Sequence, residues 1–301
     1  MSLDQELLKK FNNKISNNIS LSNYSWFNLG GPAEFFFKPE NTNQLKEFIR
    51  YNRKNKLKIT ILGAGSNTLI RDRGIKGVVI KLGSNFSKIN LIDKNTIEVG
   101  AATLDRKISN FAADHGIGDF EFLSCIPGSI GGSVIMNSGC YGMDISKILI
   151  SINVIDTIKC EEKEINSEEI EFFYRGTSLP KELLITSVKL RGKLEKKELI
   201  KKKQSQLIEK KKLSQPSQIK TCGSTFKNIS NEKKAWQLIK ETGCDKFKEG
   251  DAAISKKHCN FFVNNGKAKS ADIEKLIRKV KQTVNKKLGV NLELEIKIVG
   301  E

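Results

Sequence analysis

Histidine is nearly absent: only His115 and His258 occur among 301 residues. An imidazole-based metal site needs several ligands at fixed spacing, and Ser255-Lys256-Lys257-His258-Cys259-Asn260-Phe261 supplies no such set. No metal is expected. His115 is read as closing a helix and His258 as scaffolding. The six cysteines, at positions 125, 140, 160, 222, 244 and 259, show no Cys-x-x-Cys spacing. In a chain of this size that speaks against a disulfide frame or zinc site and for reduced thiols in a cytoplasmic protein. No run of about eighteen apolar residues occurs, so membrane insertion is not expected. The start, Met1-Ser2-Leu3-Asp4-Gln5-Glu6, lacks the basic-then-apolar layout of a secretory signal.

Positive charge is in excess, with a formal net charge of +18. A nucleic-acid-binding protein is one reading of that excess. The lysines are spread along the chain, however, and a Lys-rich, Asn-rich composition accounts for them, so nucleic acid is not an expected partner. Hydrophobic content of 38% and charged content of 29% describe a globular protein with enough chain for two or three domains.

The most informative stretch is Ile126 to Gly142. Its glycines, Gly128, Gly131, Gly132, Gly139 and Gly142, lie among apolar residues, where main-chain N–H groups can face a large phosphate-bearing ligand. The spacing is not the G-x-G-x-x-G of a Rossmann turn. Upstream, the β-rich run 58–62 leads directly into Gly63-Ala64-Gly65-Ser66-Asn67, a strand-then-loop arrangement able to hold a pyrophosphate.

Periodicity predicts a helix over 41–55 (Leu45, Phe48, Ile49), strands at 58–62 and 77–82, and a hairpin over 89–101 turning at Asp93-Lys94-Asn95. A helix over 104–115 ends at Gly116. Strands at 148–156 and 183–190 flank a short helical segment at 167–173. The lysine-rich run 193–212 reads as a solvated helix face. Ile273, Leu276, Ile277, Val280, Val284 and Leu288 form one helical stripe, with Ser270 as N-cap and Gly289 as stop. Val290, Leu292, Leu294, Ile296 and Ile298 then alternate as a half-buried strand.

Gly63 to Asp72 and Ile126 to Gly142 resemble the two FAD-binding loops of the vanillyl-alcohol-oxidase type of flavoprotein. Within that superfamily the chain resembles the UDP-N-acetylenolpyruvoylglucosamine reductase family. The resemblance rests on Tyr174-Arg175, on Gly223-Ser224-Thr225-Phe226-Lys227-Asn228 and on Leu292-Glu293-Leu294-Glu295-Ile296-Lys297, in the family's order. It implies an α+β protein with a two-part FAD-binding domain and a C-terminal α+β substrate-binding domain. The boundaries are set at 1–82 and 83–192 for the FAD-binding subdomains and 193–301 for the last domain. The limited chain between Tyr174 and that domain matches the family's shorter type, without an extra tyrosine-bearing loop.

The implied activity is NADPH-dependent reduction of UDP-N-acetylglucosamine enolpyruvate to UDP-N-acetylmuramate through tightly bound FAD, in cytoplasmic peptidoglycan precursor synthesis. By resemblance Ser224 is the proton donor, Arg175 binds the carboxylate and developing enolate, and Glu295 lies at the same centre. Gly63, Gly65, Ser66, Asn67, Gly128, Gly131, Gly132 and Asn137 contact the flavin cofactor. Tyr174, Lys212 and Asn228 contact substrate. Lys297 stands where many relatives carry arginine, and Ser133 and Cys140 where alanine is usual. A monomer is expected. An oxidase of the same fold, returning electrons to oxygen, is the nearest alternative.

Overall fold

The computed structural model describes residues 3–11, 14–230 and 232–301. They form two compact units, each built from several stretches of chain. The first comprises the described residues within 3–16, 36–64 and 78–211, and the second those within 17–35, 65–77 and 212–301.

The first unit centres on a five-stranded antiparallel sheet. Its order is Glu162–Asn166, Leu149–Asp156, Leu183–Arg191, Thr96–Gly100 and Ile89–Leu91. Every second residue of the central strands turns inward, so Ile97, Val99, Ile152, Val154, Val188 and Leu190 meet in one core. Helix Asp105–Asp114 covers it with Ile108 and Ala112. The expected hairpin turn forms because the Asp93 carboxylate accepts the N–H groups of Asn95 (3.0 Å) and Thr96 (2.9 Å). Helix Thr42–Asn55 starts where the Asn41 side chain accepts the Gln44 N–H, and buries Leu45, Phe48 and Ile49. Strand Ile59–Ile61 runs parallel to residues 78–80 of strand Ile75–Ile80, which begins two residues before the expected 77. Helix Lys197–Ser214 keeps most of its lysines outward. It is anchored by buried Ile200 and by Gln204, which donates to Ser109 Oγ (2.8 Å) and Asn110 Oδ1 (3.0 Å).

The helical segment expected at 167–173 is corrected to a single 3₁₀ turn, Ser167–Glu169. The Glu169 carboxylate caps this turn by accepting the Asn166 N–H at 2.8 Å. Burial of Ile170 then pulls the chain into extended form, leading to strand Phe172–Phe173.

In the second unit helix Ser270–Leu288 buries Ile273, Leu276, Ile277, Val280 and Val284 and stops at Gly289, whose φ is +68°. Its N-cap position is Lys269, not Ser270. The first helical N–H groups are satisfied from a distance instead: those of Ser270 and Ala271 each donate to the Asp72 carboxylate at 2.9 Å. The Ser270 hydroxyl donates to the Ile70 carbonyl. The helix packs on a three-stranded sheet of Lys248–Glu249, Ala252–Ile254 and Phe262–Asn264.

Only Lys297–Val299 forms a continuous ladder at the C-terminus, parallel to Thr68–Ile70. The alternation predicted upstream is only partly present in burial: Leu292 and Ile296 are buried and Glu293 and Lys297 exposed, but Val290, Leu294 and Ile298 are half-buried, as is Glu295. The pairing switches partners there. Lys227 N–H donates to Glu293 O and Glu295 N–H to Thr225 O, both at 2.9 Å, before Lys297 turns to Asn67.

Candidate active site

In the first unit the strand Ile59–Ile61 delivers Gly63 next to the second glycine loop: a Cβ on Gly63 would lie 2.9 Å from Ser129 Oγ. Lys81 donates to the Gly63 carbonyl at 2.6 Å. Burial, together with Lys38 nearby, lowers the pKa of this ammonium, so an anion at the loop would stabilise its charged form. Gly128 accepts the Asp105 N–H at 3.1 Å. Gly131 differs from the expected outward donor. Its N–H is taken by Ala101 O at 3.0 Å, and its Cβ position lies 3.0 Å from the Ala101 methyl, so this glycine answers to close packing. Among the described residues Gly132 has only Ser129 Oγ, at 3.8 Å, near its Cβ position.

Asn137 is buried and holds φ +38°. Its Oδ1 accepts the Ser146 N–H (3.1 Å) and its Nδ2 donates to Phe173 O (3.3 Å), which fastens the glycine loop to the next hairpin. That hairpin pairs Phe173 with Gly176, so Tyr174 and Arg175 are its two turn residues. Arg175 has φ +61°, a left-handed conformation that costs a non-glycine residue about 1 kcal/mol. Its guanidinium carbon lies 4.9 Å from the centre of the Tyr174 ring.

Sequence reasoning missed a group of residues around Cys140. The Cys140 thiol donates to Phe122 O at 3.6 Å, and its interaction with the Cys125 thiol lowers the pKa of Cys125 and raises that of Cys140. Lys211 donates to the Cys125 carbonyl at 2.8 Å, and Lys210 lies 5.1 Å above the Tyr141 ring. Lys211 is half-buried although its neighbours in the lysine run are exposed, and nothing in the local pattern distinguishes it.

In the second unit Gly65 has φ +70°, and a Cβ there would come within 1.8 Å of the Tyr24 carbonyl oxygen. Ser66 is half-buried. Asn67 donates through Nδ2 to the Glu295 carbonyl (3.0 Å) and accepts the Lys297 N–H (2.9 Å). Ser224 pairs with Phe261 in an isolated antiparallel bridge, beside Gly223 at φ +78°, whose Cβ position has no heavy atom within 4 Å. The next residue, Thr225, accepts the Glu295 N–H. Residues far apart in sequence, Asn67, Ser224 and Glu295, are thus carried on one hydrogen-bonded block.

Cys222 completes this block. Its thiol donates to Thr68 O (3.4 Å) and Gly65 O (3.6 Å), and burial pushes its pKa up to about 11. Asn228 accepts the Ala235 N–H at 3.1 Å and so starts helix Ala235–Glu241. Lys212 is exposed, and its carbonyl accepts from Lys257. His258 packs edge-on against Phe261, with ring centroids 4.7 Å apart, and accepts the Asn260 N–H, in keeping with scaffolding. His115 bonds through Nδ1 to Phe111 O at the end of its helix.

Glycine main chain beside a half-buried ammonium fits an anionic dinucleotide. The sequence model of an FAD-binding domain matches residues 33–157. The fold and site thus define a flavoprotein oxidoreductase. The C-terminal-domain model of UDP-N-acetylenolpyruvoylglucosamine reductase matches residues 215–299. The enzyme of that name from Pelagibacter ubique is 45% identical over 305 residues, covering 99% of this chain and 100% of that protein. The one from Gluconobacter oxydans is 40% identical over 97% of this chain and 94% of that protein. The crystal structure of the reductase from Thermus caldophilus superposes with a TM-score of 0.83 at 32% identity, covering 95% of this chain and 99% of that one. The chain belongs to the UDP-N-acetylenolpyruvoylglucosamine reductase family.

Proposed function

We propose that this protein reduces the enolpyruvyl ether of UDP-N-acetylglucosamine enolpyruvate to the lactyl ether of UDP-N-acetylmuramate, with NADPH as electron donor. It does so as a cytoplasmic monomer in peptidoglycan precursor synthesis. The observation that carries the reading is the main-chain bond from Glu295 to Thr225, which sets Glu295 beside the strand of Ser224.

When bound at the loops of Gly63 to Asn67 and Gly128 to Gly132, FAD recharged by NADPH would supply the hydride equivalent for the terminal methylene of the vinyl ether. The chain's own residues handle the charge and the proton. Hydride addition leaves an electron pair at the carbon bearing the carboxylate, delocalised as an enolate. Arg175 meets that carboxylate with a planar fork of donors, which Lys would not provide. The ring of Tyr174 under the guanidinium restricts the fork's orientation and lines the substrate path. Ser224 donates its hydroxyl proton to the enolate carbon; a serine is acidic enough only towards so basic a partner. Glu295 supports that transfer by holding a water or sharing a proton. Lys212 and Asn228 contact the diphosphate, the ammonium as a point charge and the amide nitrogen as a donor. Gly63, Gly65, Ser66, Gly128, Gly132 and the lysine at 81 serve the cofactor's phosphates; Gly131, Asn137 and Asn67 shape the loops that carry them.

The test is anaerobic absorbance of the purified protein. Flavin bands that bleach with NADPH and return on adding UDP-N-acetylglucosamine enolpyruvate are expected. Bands that bleach and stay bleached would overturn the substrate assignment, and rapid return with oxygen and peroxide formation would favour the oxidase.

A further inference from the structure

The extended segment that carries Glu295 is held by a side chain where a main chain would ordinarily serve. Lys297 pairs in parallel with Thr68, and Lys297 N–H reaches Asn67 O as such a ladder requires. Continued by two residues, the ladder would send Asn67 N–H to the Glu295 carbonyl and Glu295 N–H to Gly65. Neither is the arrangement found. Glu295 N–H goes to Thr225, and the Glu295 carbonyl is met by the Asn67 side-chain amide at 3.0 Å. The glycine loop leaves the sheet at this point, and the amide of Asn67 spans the gap it opens.

We propose that Asn67 is a positioning residue for Glu295: its side chain fixes the Glu295 main chain against the strand of Ser224 while the loop's own main chain departs towards the cofactor. This rests on the functional reading above for the role of Glu295, and it replaces a side-chain contact to the flavin by a contact to the acid–base centre. Asn67 holds two residues of the C-terminal segment, donating through Nδ2 to the Glu295 carbonyl and accepting the Lys297 N–H through its own carbonyl. Cys222, two residues before Ser224, secures the same loop through Gly65 and Thr68. Asparagine suits the place because it is short, uncharged and offers a donor at the required reach. Aspartate has the same shape but would set a carboxylate against the Glu295 carbonyl.

The experiment compares Asn67→Ala and Asn67→Asp with the parent holoenzyme. FAD affinity, read by flavin fluorescence, and the rate of flavin reduction by NADPH are expected to change less than about threefold. Substrate-driven reoxidation is expected to fall about tenfold or more, because small misplacements of a catalytic group are costly. Paired with Glu295→Gln, Asn67→Ala is expected to be non-additive. Backbone hydrogen exchange over 293–297 should accelerate in both Asn67 variants, a readout that does not depend on turnover. A loss of FAD affinity of tenfold or more, with reoxidation per bound flavin unchanged, would make Asn67 a flavin ligand and overturn the proposal. Unchanged exchange over 293–297 would overturn it as well. A parent enzyme that fails to reoxidise with substrate counts against the functional reading instead, and the exchange measurement still decides the role of Asn67.

Discussion

Arg175 stands at the tip of a two-residue hairpin turn in a left-handed conformation, while Ser224 and Glu295 stand on extended segments tied by main-chain bonds. The two presentations suit different work. In the proposed reading Arg175 would meet a carboxylate from this tip, where a planar guanidinium carries its own geometry. The proton delivery proposed for Ser224 and Glu295 would depend on distance and angle, and the segments that carry them are tied to Asn67, Thr225 and Cys222. Strain is concentrated at the turn, and hydrogen bonds at the block.

The contrast is sharpest in Ser224→Ala. Flavin should still bind and bleach with NADPH, but reoxidation by substrate should slow by about 10² to 10⁴, the range of a lost general acid; stopped-flow absorbance reads this directly. Normal turnover would remove Ser224 from the mechanism.

Gly65→Ala attacks the bracing itself. The added methyl would meet the Tyr24 carbonyl in a φ > 0 conformation, so a loss of about 3 kcal/mol in stability is expected by chemical denaturation. An unchanged midpoint would mean that the loop relaxes freely and that the block is not rigid.

A smaller effect belongs to Asp105 in the first unit. It is fully buried, with one carboxylate oxygen accepting from Ser133 Oγ at 2.6 Å and the other without a hydrogen-bond partner among the described residues. Burial pushes its pKa up from 3.8 to about 7, against the Ser133 bond. The folded state therefore holds this proton at pH values where the unfolded chain has released it. Stability falls as pH rises from about 4 to about 7, and then levels. Between pH 6 and 8 the loss is about 1 kcal/mol. Asp105→Asn should flatten that slope in melts across this range while keeping an acceptor for Ser133.

The smallest change tests the strained side of the comparison. Arg175→Gly should gain about 0.5 kcal/mol in stability by relieving the left-handed turn, and at the same time weaken substrate binding. A destabilised variant would show that the Tyr174 contact outweighs the strain.

Much of the fold was legible because its signals are local. The stripe from Ile273 to Val284, the stripe of Leu45, Phe48 and Ile49 and the Asp93 turn each depend on residues within one or two helical turns, and all were found where the pattern put them. The misreadings share one cause. Ser270 carries the residue type of an N-cap, but Asp72, nearly two hundred positions earlier, does the capping. Residues 167–173 have helical starters, but the core takes Ile170 and forces extension.

The candidate site divides in the same way. Ser224, Arg175 and Glu295 were picked out by resemblance of short motifs, and the glycine loops by composition. That Gly131 serves packing, that Asn228 starts a helix, and that Lys81 and Lys211 sit half-buried beside the loops could not be read from their neighbours in sequence.

By itself, then, the sequence determined the long helices over 42–55, 105–114, 197–214 and 270–288, the strands near 59–61, 75–80, 89–100, 149–156 and 183–191, and the glycine-rich segments, because propensity, capping and periodicity act over a few residues; the sheet at 248–264 and the helices at 130–135 and 235–241 were not read from it. Tertiary structure decided which of those elements share a ladder. The bond from Asn67 to Glu295 and the exchange of partners along 293–297 depend on where the loop leaves the sheet. That is set by packing across the whole second unit, since a buried main-chain group must find a partner wherever the core leaves one within reach.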